Sequence, residues 1–293
     1  MSIDEAEALR AGVEPEERGR LTEVLIALSQ SGSFLTGAAI VLFWIVCALV
    51  GEHFVPFDPL ADDIINSLSP PSADNWFGTD QLGRDVFSRV IVGARDILTV
   101  APLATILGTI VGTALGLVTG YFRGAIDDVL SRLIDALLAL PTVIVALLAL
   151  VALGPSNTMV VVVIGFTFAP IIARTVRSAV LSERELDYVA AAHLRGEGAA
   201  HIMFAEILPN VVPPILVETT VRLGYAIFAV ATLSFLGFGI QPPSADWGLA
   251  VADNYALING GYWWTVLFDA LAIASLVVGV NLIADGMQRA FET

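Results

Sequence analysis

Apolar residues in this chain run in blocks far longer than a buried strand needs. Residues 24–51 carry no ionisable side chain except Cys47, and 97–122 carry none except Tyr121. Residues 136–173 carry none at all. A helix needs roughly 20 apolar residues to cross a bilayer core, so the third block accommodates two spans, with Gly154-Pro155-Ser156-Asn157 as the turn between them. The blocks lack the alternation of barrel strands and are too long for them. Lipid offers backbone groups no partner, which leaves helices as the spanning form. The pattern predicts an all-α membrane protein with six transmembrane helices near 33–52, 97–120, 136–153, 158–176, 212–238 and 265–286. It also predicts a division into a tail, 1–32, and a membrane domain, 33–293.

Three segments between the spans have patterns of their own. Residues 52–96 form a long loop that begins with Pro56, Pro59, Pro70 and Pro71. At its end Val86, Phe87, Val90, Ile91 and Ala94 share one side of a helix, and Arg84, Asp85, Ser88, Arg89 and Arg95 the other. This predicts a short amphipathic helix on the membrane surface. Residues 177–209 are long for a connection between helices, where about 2–8 residues is usual. A helical stretch from Ser182 to Ala192 is interrupted at Gly196 and Gly198, and a second short helix is expected from Ala199, closed by Pro209. A helix-turn-helix there suggests a docking element. The third segment, 239–262, carries or adjoins Trp247, Tyr262, Trp263 and Trp264, consistent with an interfacial aromatic belt.

Charge sets the expected orientation. With an even number of spans both termini lie on one side. Placing them inside puts ten arginines in cytoplasmic segments or inner span ends and three outside, Arg84, Arg89 and Arg95, which the positive-inside rule favours. Residues 1–23 are acidic and polar without a basic leader region, and read as a cytoplasmic tail with a short helix.

Composition removes several chemistries. All 14 basic residues other than His are arginine, so the chain has no P-loop lysine and no lysine Schiff base. If ATP drives this protein, another chain binds it. The net charge of -15 argues against nucleic acid as a partner. It also suggests a salt-loving host. One cysteine, Cys47, excludes an internal disulfide. His53, His193 and His201 are scattered without HExxH spacing, so no metal site is expected. Glu218 and Arg222, four apart in the inner half of the fifth predicted span, are candidates for a pathway pair or a self-neutralising structural pair. Asp269 and Asp285 fall near the ends of the last span, where interfacial solvation is expected.

Three blocks carry a family resemblance. Residues 77–89 read Phe-Gly-Thr-Asp-Gln-Leu-Gly-Arg-Asp-Val-Phe-Ser-Arg, followed by Gly93-Ala94-Arg95. Residues 233–243 read Leu-Ser-Phe-Leu-Gly-Phe-Gly-Ile-Gln-Pro-Pro, leading to Trp247-Gly248. The third block is Ala190-Ala191-Ala192 and Gly196, followed by Ile207-Leu208-Pro209. From about Phe34 to Phe291 the sequence resembles the permease subunits of ABC importers for dipeptides, oligopeptides and nickel, and among them the second of the paired permeases. Ala190 departs from that family's pattern, which has glutamate there.

The resemblance implies an importer-permease fold with a cytoplasmic coupling helix, in the cell membrane with both termini cytoplasmic. It implies a non-catalytic subunit with no cofactor of its own, since ATP and Mg would sit on partner subunits. The implied partners are a second homologous permease, two ABC ATPases, an extracellular substrate-binding protein and membrane lipid, with no nucleic acid. Ala190, Ala191, Ala192, Gly196, Ile207, Leu208 and Pro209 are the implied coupling residues. Gly78, Thr79, Asp80, Gly83, Arg84 and Asp85 form the implied outer-loop motif. The competing reading is a self-sufficient secondary transporter or channel, which would need ion-coupling groups near the bilayer midplane and often has internal repeats. Neither is evident in the sequence.

Overall fold

The computed structural model describes residues 17–292. The first sixteen residues, half of the expected tail, lie outside the described residues. Among those described, regular structure is helical apart from an isolated bridge between Thr79 and Asp85. The helices in chain order are α1 (Glu17–Gln30), α2 (Gly32–Phe54), α3 (Val86–Tyr121), α4 (Ala125–Leu138) and α5 (Thr142–Leu153). They continue with α6 (Asn157–Glu183), α7 (Asp187–Leu194), α8 (Ala199–Phe235), α9 (Trp247–Asn254) and α10 (Trp264–Glu292). Five of them, α2, α3, α6, α8 and α10, are long and apolar enough to cross a membrane. The two loops 55–85 and 236–263 gather at one end of the bundle, here the loop end. Segment 184–198 lies at the other, the tail end.

The α3–α6 pair is the spine. A Cβ added at Gly108, Gly112, Gly116 or Gly120 would lie 2.9, 2.7, 2.7 or 3.1 Å from the carbonyl oxygen of Gly165, Ala169, Ala173 or Arg177 respectively. Only hydrogen at those four positions permits this approach, the packing by which membrane helices associate without a hydrophobic driving force between them. Each glycine meets the residue 57 positions later, so the two helices run parallel and the chain between them must travel back across the bundle.

It does so in two pieces, which corrects the third predicted span. Helices α4 and α5 meet at an angle of 89°. Pro141 disfavours a helical conformation at Leu140 and starts a new helix. With 12 residues, α5 is about 18 Å long, too short for a hydrocarbon core of roughly 30 Å. The apolar run that read as one span is a bent pair.

Three further expectations are revised. The amphipathic segment before the second span is not a separate surface helix. It is the beginning of α3, which continues without a break for 36 residues, about 54 Å. Only part of its polar side is in water: Ser88 and Arg89 are buried under the loops, whereas Arg95 is exposed. Pro209 likewise does not close a helix. Helix α8 runs through Pro209, Pro213 and Pro214 after widening into a π-helical stretch, Ile202–Ile207. Proline has no N–H to give the residue four back. The Nδ2 of Asn210 donates to the Glu206 carbonyl at 2.9 Å. The helical stretch expected from Ser182 is also divided: α6 persists to Glu183, and α7 starts afresh at Asp187.

Helix α10 closes the bundle against α2. A Cβ at Gly37 would meet the backbone of Gly279, and the Trp44 indole donates to Ser275 Oγ at 2.9 Å. The other side of α2 presents Leu42, Phe43, Val46 and Leu49 outward, as a lipid-facing helix does.

Candidate functional site

At the loop end, the six residues of the 78–85 motif form one knot. Asp80 accepts from the backbone N–H of Leu82 and Arg84 through Oδ1, at 2.9 and 3.0 Å. Its Oδ2 accepts from Arg84 Nε at 2.7 Å. Gly78 and Gly83 have φ of 76° and 75°, the left-handed region glycine enters without penalty. Thr79 Oγ1 donates to the Asn66 carbonyl at 2.5 Å, and the Trp264 indole donates to the Thr79 carbonyl at 3.1 Å. Asp85 caps α3, accepting from Ser88 N and Oγ at 2.8 and 2.7 Å. Asp80 and Asp85 are buried. The motif ties the long loop to the start of α3 and to α10.

Arg89 extends that knot across the loops. Its Nη1 donates to the Pro59 carbonyl at 3.1 Å and its Nη2 to Ser244 at 3.4 Å. Trp247, expected in the aromatic belt, is instead wholly buried and donates to the Val90 carbonyl at 2.8 Å. Trp264 is buried as well, while Trp263 stays exposed. Asp269, expected at a solvated interface, is 2% exposed and its Oδ1 has no hydrogen-bond partner. Asp246 caps α9 through Leu249 N at 2.9 Å. Burial pushes its carboxyl up to about 6.

At the tail end, α7 lies with Val189 and Ala192 against the bundle and Ala190 outward. Ala191 is half-buried and Leu194 is 90% exposed. Gly196 ends the helix: its N–H bonds to the His193 carbonyl at 3.0 Å and that of Glu197 to Ala192 at 3.2 Å. This is the Schellman arrangement, which calls for a left-handed residue, and Gly196 supplies φ of 77°. Ile207 is buried, Leu208 half-buried and Pro209 exposed. The seven residues expected to couple therefore fall into two groups, one on α7 and its turn and one on α8.

Several tail-end ties have no sequence signature, because their partners are far apart in the chain. Tyr188 donates to Glu183 Oε2 at 2.7 Å and accepts from Asn210 Nδ2 at 3.2 Å. Burial, followed by the Glu183 bond, pushes its phenol up to about 12. Arg184 donates to the Tyr121 carbonyl, and Arg123 pairs with Glu185. Arg177 grips Asp127 with two bonds of 2.7 Å. Tyr188 joins α7 to the ends of α6 and α8, Arg184 and Arg123 hold the end of α6 and the linker into α7 to the end of α3, and Arg177 holds α6 to α4.

Within α8, Arg222 Nε lies 2.6 Å from Glu218 Oε1. Its guanidinium sits 5.0 Å from the Tyr225 ring centroid. The two charges neutralise each other.

Comparison with known proteins places this architecture. The family described as "Binding-protein-dependent transport system inner membrane component" matches residues 112–293. The chain is similar to the dipeptide transport system permease protein DppC of Bacillus subtilis, with 38% identity over 88% of this chain and 81% of that protein. It is also similar to the probable D,D-dipeptide transport system permease protein DdpC of Escherichia coli, with 34% identity over 95% and 94%. Among solved structures it resembles a chain of the inward-facing MetNI methionine ABC transporter. That match has a TM-score of 0.57 and 19% identity, and covers 69% of this chain and 95% of that one; it is a likeness of fold. With its parallel spine, its broken return helix and the turn between α7 and α8, the chain belongs to the family of binding-protein-dependent transport system inner membrane components.

Proposed function

We propose that this chain is one half of the membrane channel of an ABC importer for di- or oligopeptides, and that its partners supply all ATP chemistry. The observation that carries the reading is the construction of α7. Tyr188 ties the helix to α6 and α8, and the linker that leads into it is held to the end of α3 through Arg184 and Arg123, yet it presents Ala190 and Leu194 to whatever lies beyond the bundle. A lever needs both a rigid attachment and a free contact surface. Peptide as cargo is supported by the names of the relatives, which are dipeptide and peptide permeases.

In this reading both termini and segment 177–209 face the cytoplasm. Two ATPases bind ATP and Mg and press on 185–209, with Ala190, Ala191, Ala192 and Gly196 forming the contact and Ile207, Leu208 and Pro209 carrying the thrust into α8. A second homologous permease completes the pathway in the lipid bilayer. Loops 52–96 and 239–262 receive the external binding protein, a role supported by exposed Ile65 and Trp76. The 78–85 knot holds that platform rigid without contacting cargo. Residues 1–32 act as a tail and 33–293 as the permease domain. Glu218 and Arg222 line the inner half of the pathway as a neutral pair.

The test is reconstitution. Vesicles holding both permeases, both ATPases and the binding protein are expected to accumulate labelled peptide only with ATP. This chain alone is expected neither to hydrolyse ATP nor to accumulate peptide uphill. Uphill accumulation by the chain alone would overturn the reading.

A further inference from the structure

We propose that Glu197, His201 and Glu206 form a binding site for one divalent transition-metal cation of the zinc class, beside the turn between α7 and α8. One ligand atom from each residue lies within 4.8 Å of the others. His201 Nε2 and Glu197 Oε2 are 3.6 Å apart, close to the roughly 3.3 Å between two donors that each sit about 2.0 Å from a tetrahedral ion. One imidazole and two carboxylates are a donor set that suits zinc better than hard cations such as magnesium.

Two independent features build the site. First, the π-helical stretch Ile202–Ile207 places its bonds five residues apart rather than four. In an ordinary α-helix, residues 201 and 206 point to different sides. Widening the turn stacks them, so His201 and Glu206 come together because of the π segment. Such segments are frequent at functional sites.

Second, Arg195 orients both carboxylates from behind. Its Nε donates to Glu197 Oε1 at 2.6 Å and its Nη2 to Glu206 Oε1 at 3.0 Å. The other oxygen of Glu197 is left buried, with no hydrogen bond. Arginine on the far oxygens holds the carboxylates as outer partners hold metal ligands. Two carboxylates against one guanidinium leave the cluster anionic. His201 is exposed, which gives an ion a way in.

The absence of HExxH in the sequence does not bear on this site, because its ligands follow a different spacing, Glu-x3-His-x4-Glu. A bound ion would clamp the residue after Gly196 to the first turns of α8. The site does not depend on the transport reading, since binding is measured on this chain alone.

The experiment is a calorimetric titration of the full-length chain in detergent with Zn2+, with wild type, His201→Ala, Glu206→Gln and the control His53→Ala compared. Loss of an outer partner costs metal sites about 10–100-fold in affinity, so loss of a direct ligand is expected to weaken binding at least tenfold. His53→Ala is expected to bind one ion per chain as wild type does. Zn2+ is also expected to raise the thermal midpoint of wild type and leave that of His201→Ala unmoved. Circular dichroism confirms that the variants are folded. Zinc binding by His201→Ala and Glu206→Gln equal to that of wild type, or no binding by wild type, would overturn the proposal.

Discussion

Tyr188 and Asn210 meet across the turn that joins α7 to α8. The Asn210 amide donates to the Tyr188 hydroxyl at 3.2 Å, and that hydroxyl in turn donates to Glu183 at 2.7 Å. One phenol thus links three helices. Removing it by Tyr188→Phe is expected to cost about 0.5–1.5 kcal/mol for each lost bond and to loosen α7 from its supports. In the reconstituted transporter, ATP hydrolysis is expected to persist while peptide uptake per ATP falls. Unchanged stoichiometry would show that the link transmits nothing.

Leu194 on α7 is 90% exposed, so changing it does not disturb the bundle. Leu194→Asp is expected to leave membrane insertion and thermal midpoint at wild-type values and to abolish uptake, because the charge would sit in the contact with an ATPase. Leu194→Met is expected to retain uptake. Co-purification of the ATPases with each variant reads the contact directly.

Gly196 tests backbone conformation apart from packing. A Cβ there meets nothing within 4 Å, but its φ is 77°. A left-handed residue other than glycine costs roughly 1–2 kcal/mol, and Asn tolerates the region best. Gly196→Val is expected to impair uptake severely and Gly196→Asn only mildly, with both inserting normally. Equal uptake by the two would remove the turn from the coupling path.

Gly112 sits at the middle of the spine, where a Cβ would lie 2.7 Å from both the Ala169 oxygen and the Ile172 Cβ. Overpacking of this kind costs about 1–3 kcal/mol or more. Gly112→Leu is expected to lower the unfolding midpoint in detergent by several degrees. Gly124→Ala, where the added atom meets nothing, is expected to lower it by less, through its positive φ alone.

Asp246 gives the loop end a pH dependence. Burial raises its folded pKa to about 6 from the ordinary 3.8, so the folded chain holds a proton that the unfolded chain releases. Its contribution to stability is complete below about 4 and is lost as pH rises through 6. Asp246→Asn keeps an oxygen to cap α9 and has nothing to titrate. Thermal unfolding across pH 4–7 is expected to decline for wild type over that window and to show a flatter course in the variant.

The spans α2, α6 and α10 were legible because uninterrupted apolar length is itself the physical requirement for crossing lipid. Gly154-Pro155 marked its turn for the same local reason. The break at Pro141 was harder to read, since a bent pair and a straight helix share one composition. Arg89 and Ser88 looked solvated because polarity along a helix records only that the face is not lipid. It does not record that a loop thirty residues away in sequence covers it, as Pro59 does for Arg89. Trp247 and Asp269 were misplaced by the same blindness to tertiary cover. At the tail end the glycine turn was visible at Gly196, whereas Tyr188, Arg177 and Asp127 were not, because their ties join distant helices.

The glycine teeth of α3 mesh with α6 once every four residues, so the pair cannot telescope without jumping a whole notch. Pushed at the end near Arg177 and Tyr121, the two helices must travel as a single strut about 54 Å long, whose far tip is gripped by the knot around Asp80 and Arg89. On the proposed function, a stroke that arrives at one face of the membrane is expected to reach the opposite face through this pair.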